Sequence, residues 1–149
     1  MSVAEVERPA PVPAQRSLFG QITLEDMRGN ELLTKTVMPL VGEACKHSKG
    51  KFTPIDVADG LLSGVYKLWG VMRPPASLDA VVVTRVDGDA FELLLLGPNF
   101  REIFQFLPQL QRMGRIAGCK RIRLEGPPSW RRGLGEGWKA SPIVYEKAI

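Results

Sequence analysis

The chain has 149 residues, 44% apolar and 24% charged, with a formal net charge of +4, the balance of one ordinary globular domain. No apolar run approaches the roughly 18 residues of a membrane span, and the opening MSVAEVERPAPVPAQRS carries acids and prolines where a secretory leader would be basic and then apolar. Cys45 and Cys119 lie far apart and His47 is the single histidine, so neither a disulfide framework nor a zinc site is indicated; both cysteines read as reduced thiols, Cys119 buried.

In chain order, residues 1–20 hold Pro9, Pro11 and Pro13 among small and polar residues, a composition that favours extended, polyproline-like chain. They read as a Pro-rich N-terminal arm, with one domain over 21–149. From Glu31 to His47, Leu32, Leu33, Val37, Leu40, Val41 and Ala44 recur at helical spacing, with Pro39 as a kink. Thr53-Pro54-Ile55-Asp56 predicts a second helix start. Thr53 caps, Pro54 suits the first helical position, and Asp56 complements the dipole. Val57, Leu61 and Val65 form its predicted buried stripe.

Three strands follow at about 67–72, 79–86 and 91–96, the last two joined at Asp87-Gly88, a hairpin signal. LLLLGPNFREIF then reads as a strand running through a Gly-Pro-Asn break into a helix N-terminus, a geometry suited to an anion. Ile103, Leu107, Leu110, Gly114 and Ala117 line one face of a long helix over 100–117, with Pro108 in its early part. In KRIRLEG, Ile122 and Leu124 point one way and Arg121 and Arg123 the other, as a half-exposed strand over 121–125 requires. A short helix within PPSWRRGLGEGW and a final strand in SPIVYEKAI complete the chain. The fold class is α+β. Two helices and the arm precede a mostly antiparallel mixed sheet, with one parallel strand-helix-strand unit over 91–125.

This order, with the closing segment GCKRIRLEGPPSWRRGLGEGWKASPIVYEKAI, resembles the GNAT acyltransferase superfamily. It looks more closely like small GNAT-like proteins of tailed bacteriophages. The residues that carry the resemblance are Thr53-Pro54-Ile55-Asp56, Leu68-Trp69, Val83-Thr84, Gly118-Cys119, Glu125-Gly126, Trp130-Arg131-Arg132, Leu134, Gly137-Trp138 and Glu146-Lys147. They arrive in order over residues 32 to 149, and the arm lies outside.

GNAT enzymes hold the pyrophosphate of acetyl-CoA on a Gln/Arg-x-x-Gly-x-Gly/Ala loop after the fourth strand. Here that position is Gly97-Pro98-Asn99-Phe100. Pro98 has no N–H, Phe100 is bulky, and one glycine remains. Gln111-Arg112-Met113-Gly114 falls late in the predicted helix, where its N–H groups are already bonded, so Gly114 reads as a packing position. No tyrosine sits on the short helix. Tyr145 reads as a core or rim aromatic, and Glu92 and Glu125 as strand acids without a visible partner. His47 complements a helix C-terminus, Cys119 packs beside Lys120-Arg121, and Trp69, Trp130 and Trp138 read as core or partner-facing aromatics.

The resemblance therefore implies a GNAT-like scaffold without acyl transfer and without a cofactor. Its role would be that of a phage virion protein of the internal core or the genome-ejection apparatus, located in the virion and the host cytoplasm. The basic residues Arg121, Arg123, Arg131 and Arg132 would then meet other virion proteins or DNA. A solvated charged surface is the plainer reading of the same arginines. The alternative is an acetyl-CoA-dependent N-acetyltransferase with a divergent loop, in which Asn99 and the N–H groups of Phe100 and Arg101 take the pyrophosphate. A general DNA-binding accessory is a third reading, marked by affinity that falls steeply with salt.

Overall fold

The computed structural model describes residues 17–48, 50–73, 77–141 and 144–149; residues 1–16, most of the expected arm, lie outside them. The first strand, β1 (Leu18–Ile22), begins inside the segment expected to be arm, and a one-turn helix α1 (Leu24–Arg28) follows it. Both were missed because β1 is short and largely exposed, leaving little alternation to read. The α1 start has a local cause. Thr23 Oγ1 accepts from the Asp26 N–H while Asp26 Oδ2 accepts from the Thr23 N–H, a reciprocal capping box.

Helix α2 (Glu31–His47) continues through Pro39 and buries Val37, Val41, Ala44 and Cys45. Helix α3 (Pro54–Ser63) starts as expected: Thr53 Oγ1 accepts from the Asp56 N–H at 3.2 Å and Asp56 Oδ2 from the Thr53 N–H at 2.9 Å. Replacing Thr53 with alanine should cost about 1 kcal/mol, read as a lower urea midpoint; an unchanged midpoint would show an idle cap. Val65 is a correction. The helix ends at Ser63 on a left-handed Gly64 (φ 79°), so Val65 falls beyond it and is exposed.

The sheet has seven strands in the order β1-β2-β3-β4-β5-β7-β6. β2 (Tyr66–Arg73), β3 (Ser77–Asp87) and β4 (Ala90–Pro98) form the antiparallel centre. The hairpin turns at Gly88, whose φ of 61° is a conformation glycine adopts without strain. Val81, Val82 and Val83 of β3 have no exposed surface, since both sheet faces are covered there.

The expected long helix is two, α4 (Phe100–Phe104) and α5 (Leu107–Ile116). Pro108 is the reason. It has no N–H to bond the preceding turn but suits a helix start, so it opens a new helix instead of lying within one. β5 (Arg121–Glu125) returns parallel to β4, pairing Ala90 with Arg121 through Leu93 with Leu124, the expected strand-helix-strand unit. A 3-10 turn (Pro128–Trp130) and helix α6 (Arg131–Leu134) follow. The expected single last strand is a hairpin of β6 (Lys139–Ser141) and β7 (Val144–Ala148).

Each face of the sheet carries a core. One is built from Phe91, Leu93, Ile122, Leu124 and Tyr145 against Ile103, Leu107, Leu110 and Leu134 of α4, α5 and α6. The other places Leu68, Val81, Val83 and Leu95 under α2 and Val57 of α3. Among the described residues no helix is long and apolar enough to cross a membrane.

Candidate functional site

The sheet opens at one place. Pairing of β4 with β5 stops at Leu93 and Leu124, yet β4 runs on to Pro98. The β3–β4 register shifts there, Val83 opposing Leu95 and Thr84 opposing Leu93. Leu94 is therefore an extra residue, a β-bulge that bends the strand and re-aims its backbone. From Leu94 to Pro98 the side of β4 away from β3 has no strand partner among the described residues. Backbone polar groups left unpaired inside a fold call for a partner.

The turn after β4 brings Asn99, Phe100 and Arg101 to the mouth of this split. Asn99 Oδ1 accepts from the Glu102 N–H at 3.4 Å, so this side chain serves as the helix cap. The N–H groups of Phe100 and Arg101 stand at helix positions with no intrahelical acceptor, and Pro98 adds none. The Glu102 carboxylate stands in the same turn, bonded by Ser17 Oγ at 3.1 Å and 3.6 Å from Arg73. Since α4 is one turn long, its dipole is that of a single turn rather than of the expected long helix. Gln111-Arg112-Met113-Gly114 lies inside α5, where a Cβ on Gly114 would stand 3.1 Å from Phe91. The packing reading of Gly114 holds.

The candidate acids divide. Glu92 is committed: its Oε1 accepts from Arg85 Nη2 at 2.6 Å and its Oε2 lies 2.8 Å from Arg123 Nη2. Burial pushes its carboxyl up, but the bonds from Arg85 and Arg123 outweigh that, and its pKa falls below the ordinary glutamate value. Glu125, at the end of β5 beside the split, is exposed and paired with Lys51 from the connection between α2 and α3. Tyr145 donates its hydroxyl to the Pro127 carbonyl at 2.9 Å. Burial, with a smaller contribution from Asp89, raises the Cys119 thiol pKa, opposite to what a nucleophile needs. His47 ends α2 with its ring edge-on to Phe100 at 5.7 Å.

The structure separates the four arginines. Arg121 and Arg123 lie on the face of the sheet that bears α2 and α3, whereas Arg131 and Arg132 sit on α6, whose Leu134 packs on the other face. The strand arginines are also neutralised. Arg121 reaches Asp89 at 2.7 Å and Glu146 at 2.8 Å, and Arg123 reaches Asp87 at 3.2 Å besides Glu92. Arg123 belongs to a row across the sheet, Tyr66, Arg85, Glu92, Arg123, Glu146 and Lys139 in successive register. One-dimensional reading missed this row because its members come from six strands.

It also missed the aromatic group at the split. Trp130 lies tilted at 4.6 Å from Phe100 and edge-on at 5.5 Å from Phe104. The only sequence signal was the pair of aromatics four apart on the helix. A groove of about 520 Å³ between α3 and the start of β2 is lined by Asp59, Tyr66 and Arg85 among others, and a smaller cavity of about 140 Å³ lies under Arg131, Trp138 and Tyr145. Among the described residues no cluster of His, Cys, Asp and Glu could hold a metal ion.

No family model and no curated protein sequence matches the chain. Solved structures do. A PaiA N-acetyltransferase from Thermoplasma acidophilum, in complex with coenzyme A, superimposes with a TM-score of 0.61 at 12% identity, over 90% of this chain and 99% of that one. The ribosomal-protein-S18-alanine N-acetyltransferase of Escherichia coli gives 0.61 at 12% identity over 90% and 94%. A putative acetyltransferase of the GNAT family from Desulfovibrio desulfuricans gives 0.56 at 15% identity over 89% and 99%. An α+β architecture with one parallel pair, opened at a bulged fourth strand and matched over nearly whole chains, is the GNAT acyltransferase fold, and this protein has it.

Proposed function

We propose that this protein binds an acyl-coenzyme A in the split between β4 and β5 and acts as an N-acetyltransferase. The observation that carries the reading is the β4 edge beyond Leu93, which on the side away from β3 has no strand partner among the described residues, in a fold shared with acetyltransferases. The pantetheine arm of coenzyme A carries amides, and an amide chain pairs with an open strand edge as an added strand would. At the outer end of the split, the N–H groups of Phe100 and Arg101 face the pyrophosphate, with Asn99 holding the turn. They offer fewer donors than a glycine-rich loop, and Glu102 adds a like charge, so this anchor is weak. Bound acetyl-CoA would supply the activated thioester. Of the two strand acids, Glu125 is the one placed to collect the amine proton, because Glu92 is saturated by arginines.

Calorimetric titration with acetyl-CoA tests the reading. Heat release with a dissociation constant in the micromolar range is the expected result. Absence of heat would overturn it in favour of the second reading, a GNAT-like scaffold without acyl transfer. One observation bears on the loss of acyl transfer: Trp130 lies against Phe100 and Phe104 at the split.

A further inference from the structure

Trp130 bridges the two walls of the split. On the β5 side its indole covers Gly126 so closely that a Cβ there would stand 2.0 Å from the ring. On the β4 side the same ring packs on Phe100 and Phe104, while Phe100 is backed by His47. The arrangement requires glycine on its β5 wall. It is helped by Gly133, where a Cβ would meet the Phe104 ring at 2.8 Å.

The segment that carries the indole is tied at its ends. The Pro127 carbonyl accepts from Tyr145 Oη and from the Trp130 N–H, and Leu134 is buried in the core. Among the described residues, no hydrogen bond is made by the Trp130 indole N–H, unlike that of Trp69, which donates to Thr84 Oγ1 at 2.9 Å. Ring contacts hold the Trp130 indole in place, and each is a modest attraction.

Resting on the coenzyme reading above, we propose that Trp130 controls admission to the site: its indole closes the space between β4 and β5, and acyl-coenzyme A binds only when the ring swings off Gly126 and Phe100. The apparent affinity is then the intrinsic affinity reduced by the fraction of open molecules. Two variants shift that fraction by different means. Trp130→Ala deletes the plug; Gly126→Ala keeps the indole and pushes it off its seat.

The experiment is calorimetric titration of acetyl-CoA into the full chain and both variants, with thermal melts to confirm folding. It is joined to 19F NMR of the 5-fluorotryptophan-labelled protein, in which Trp130→Phe assigns the resonance. Gly126→Ala should bind roughly tenfold more tightly than the parent, as expected if the closed form outnumbers the open one by about that factor. Trp130→Ala should follow it, and the Trp130 resonance should shift on binding while that of Trp69 stays. Parent binding with no gain in Gly126→Ala and a stationary Trp130 resonance would overturn the gate and leave the coenzyme reading intact. No binding by any of the three proteins would overturn the coenzyme reading and the gate with it.

Discussion

Replacing Ile103 with alanine should destabilise the protein by about 2–5 kcal/mol, the range for emptying a fully buried aliphatic site. Ile103 has no exposed surface and is the one buried residue of α4. A five-residue helix cannot stand by its own hydrogen bonds, since nucleating a turn is unfavourable. The side chain docked against the sheet therefore holds α4, and with it the turn carrying Asn99, Phe100 and Arg101. Guanidinium unfolding should show a lower midpoint with an unchanged slope, and amide exchange at Phe104 to Phe106 should accelerate. A loss under about 1 kcal/mol would mean that the neighbouring contacts, not Ile103, anchor this helix.

Glu92→Gln should cost about 1–3 kcal/mol at neutral pH. That is below the value for a fully buried pair because Arg85 remains 35% exposed and Arg123 24%. The loss has a pH dependence of defined sign. The folded-state pKa of Glu92 lies below its ordinary value, so the carboxylate contributes its full stabilisation above the unfolded pKa of about 4.3. That contribution disappears as pH falls through the lower folded value. The stability gap between parent and Glu92→Gln should thus be widest near pH 7 and shrink below about pH 4. A gap that stays constant from pH 7 to pH 3 would show that the amide loses packing rather than charge pairing.

Both predictions act on residues whose type was plain in the chain and whose setting was not. Ile103 stood on an expected apolar stripe, but its place as the one buried residue of a separate short helix arises because Pro108 divides the helix behind it. Glu92 read as a strand acid without a visible partner. Register places it between two arginines, one brought by the hairpin partner and one by the parallel crossover. The Arg121 and Arg123 alternation was legible and correct as strand geometry, whereas their carboxylate partners come from β3, β4, β7 and the β3–β4 turn.

Local chemistry alone determined the capping box at Thr53, the turn at Gly88, the alternation of β5 and the strand-helix-strand order that marks the fold. Each depends on residues within a few positions of one another, where sterics and hydrogen bonding act without help from the rest of the chain. Tertiary structure decided the bulge at Leu94, the split of β4 from β5, the ion-pair row and the seat of Trp130 over Gly126. These arise where segments distant in sequence are held side by side by two hydrophobic cores, and only that packing sets which backbone edge is left open and which ring lies across it.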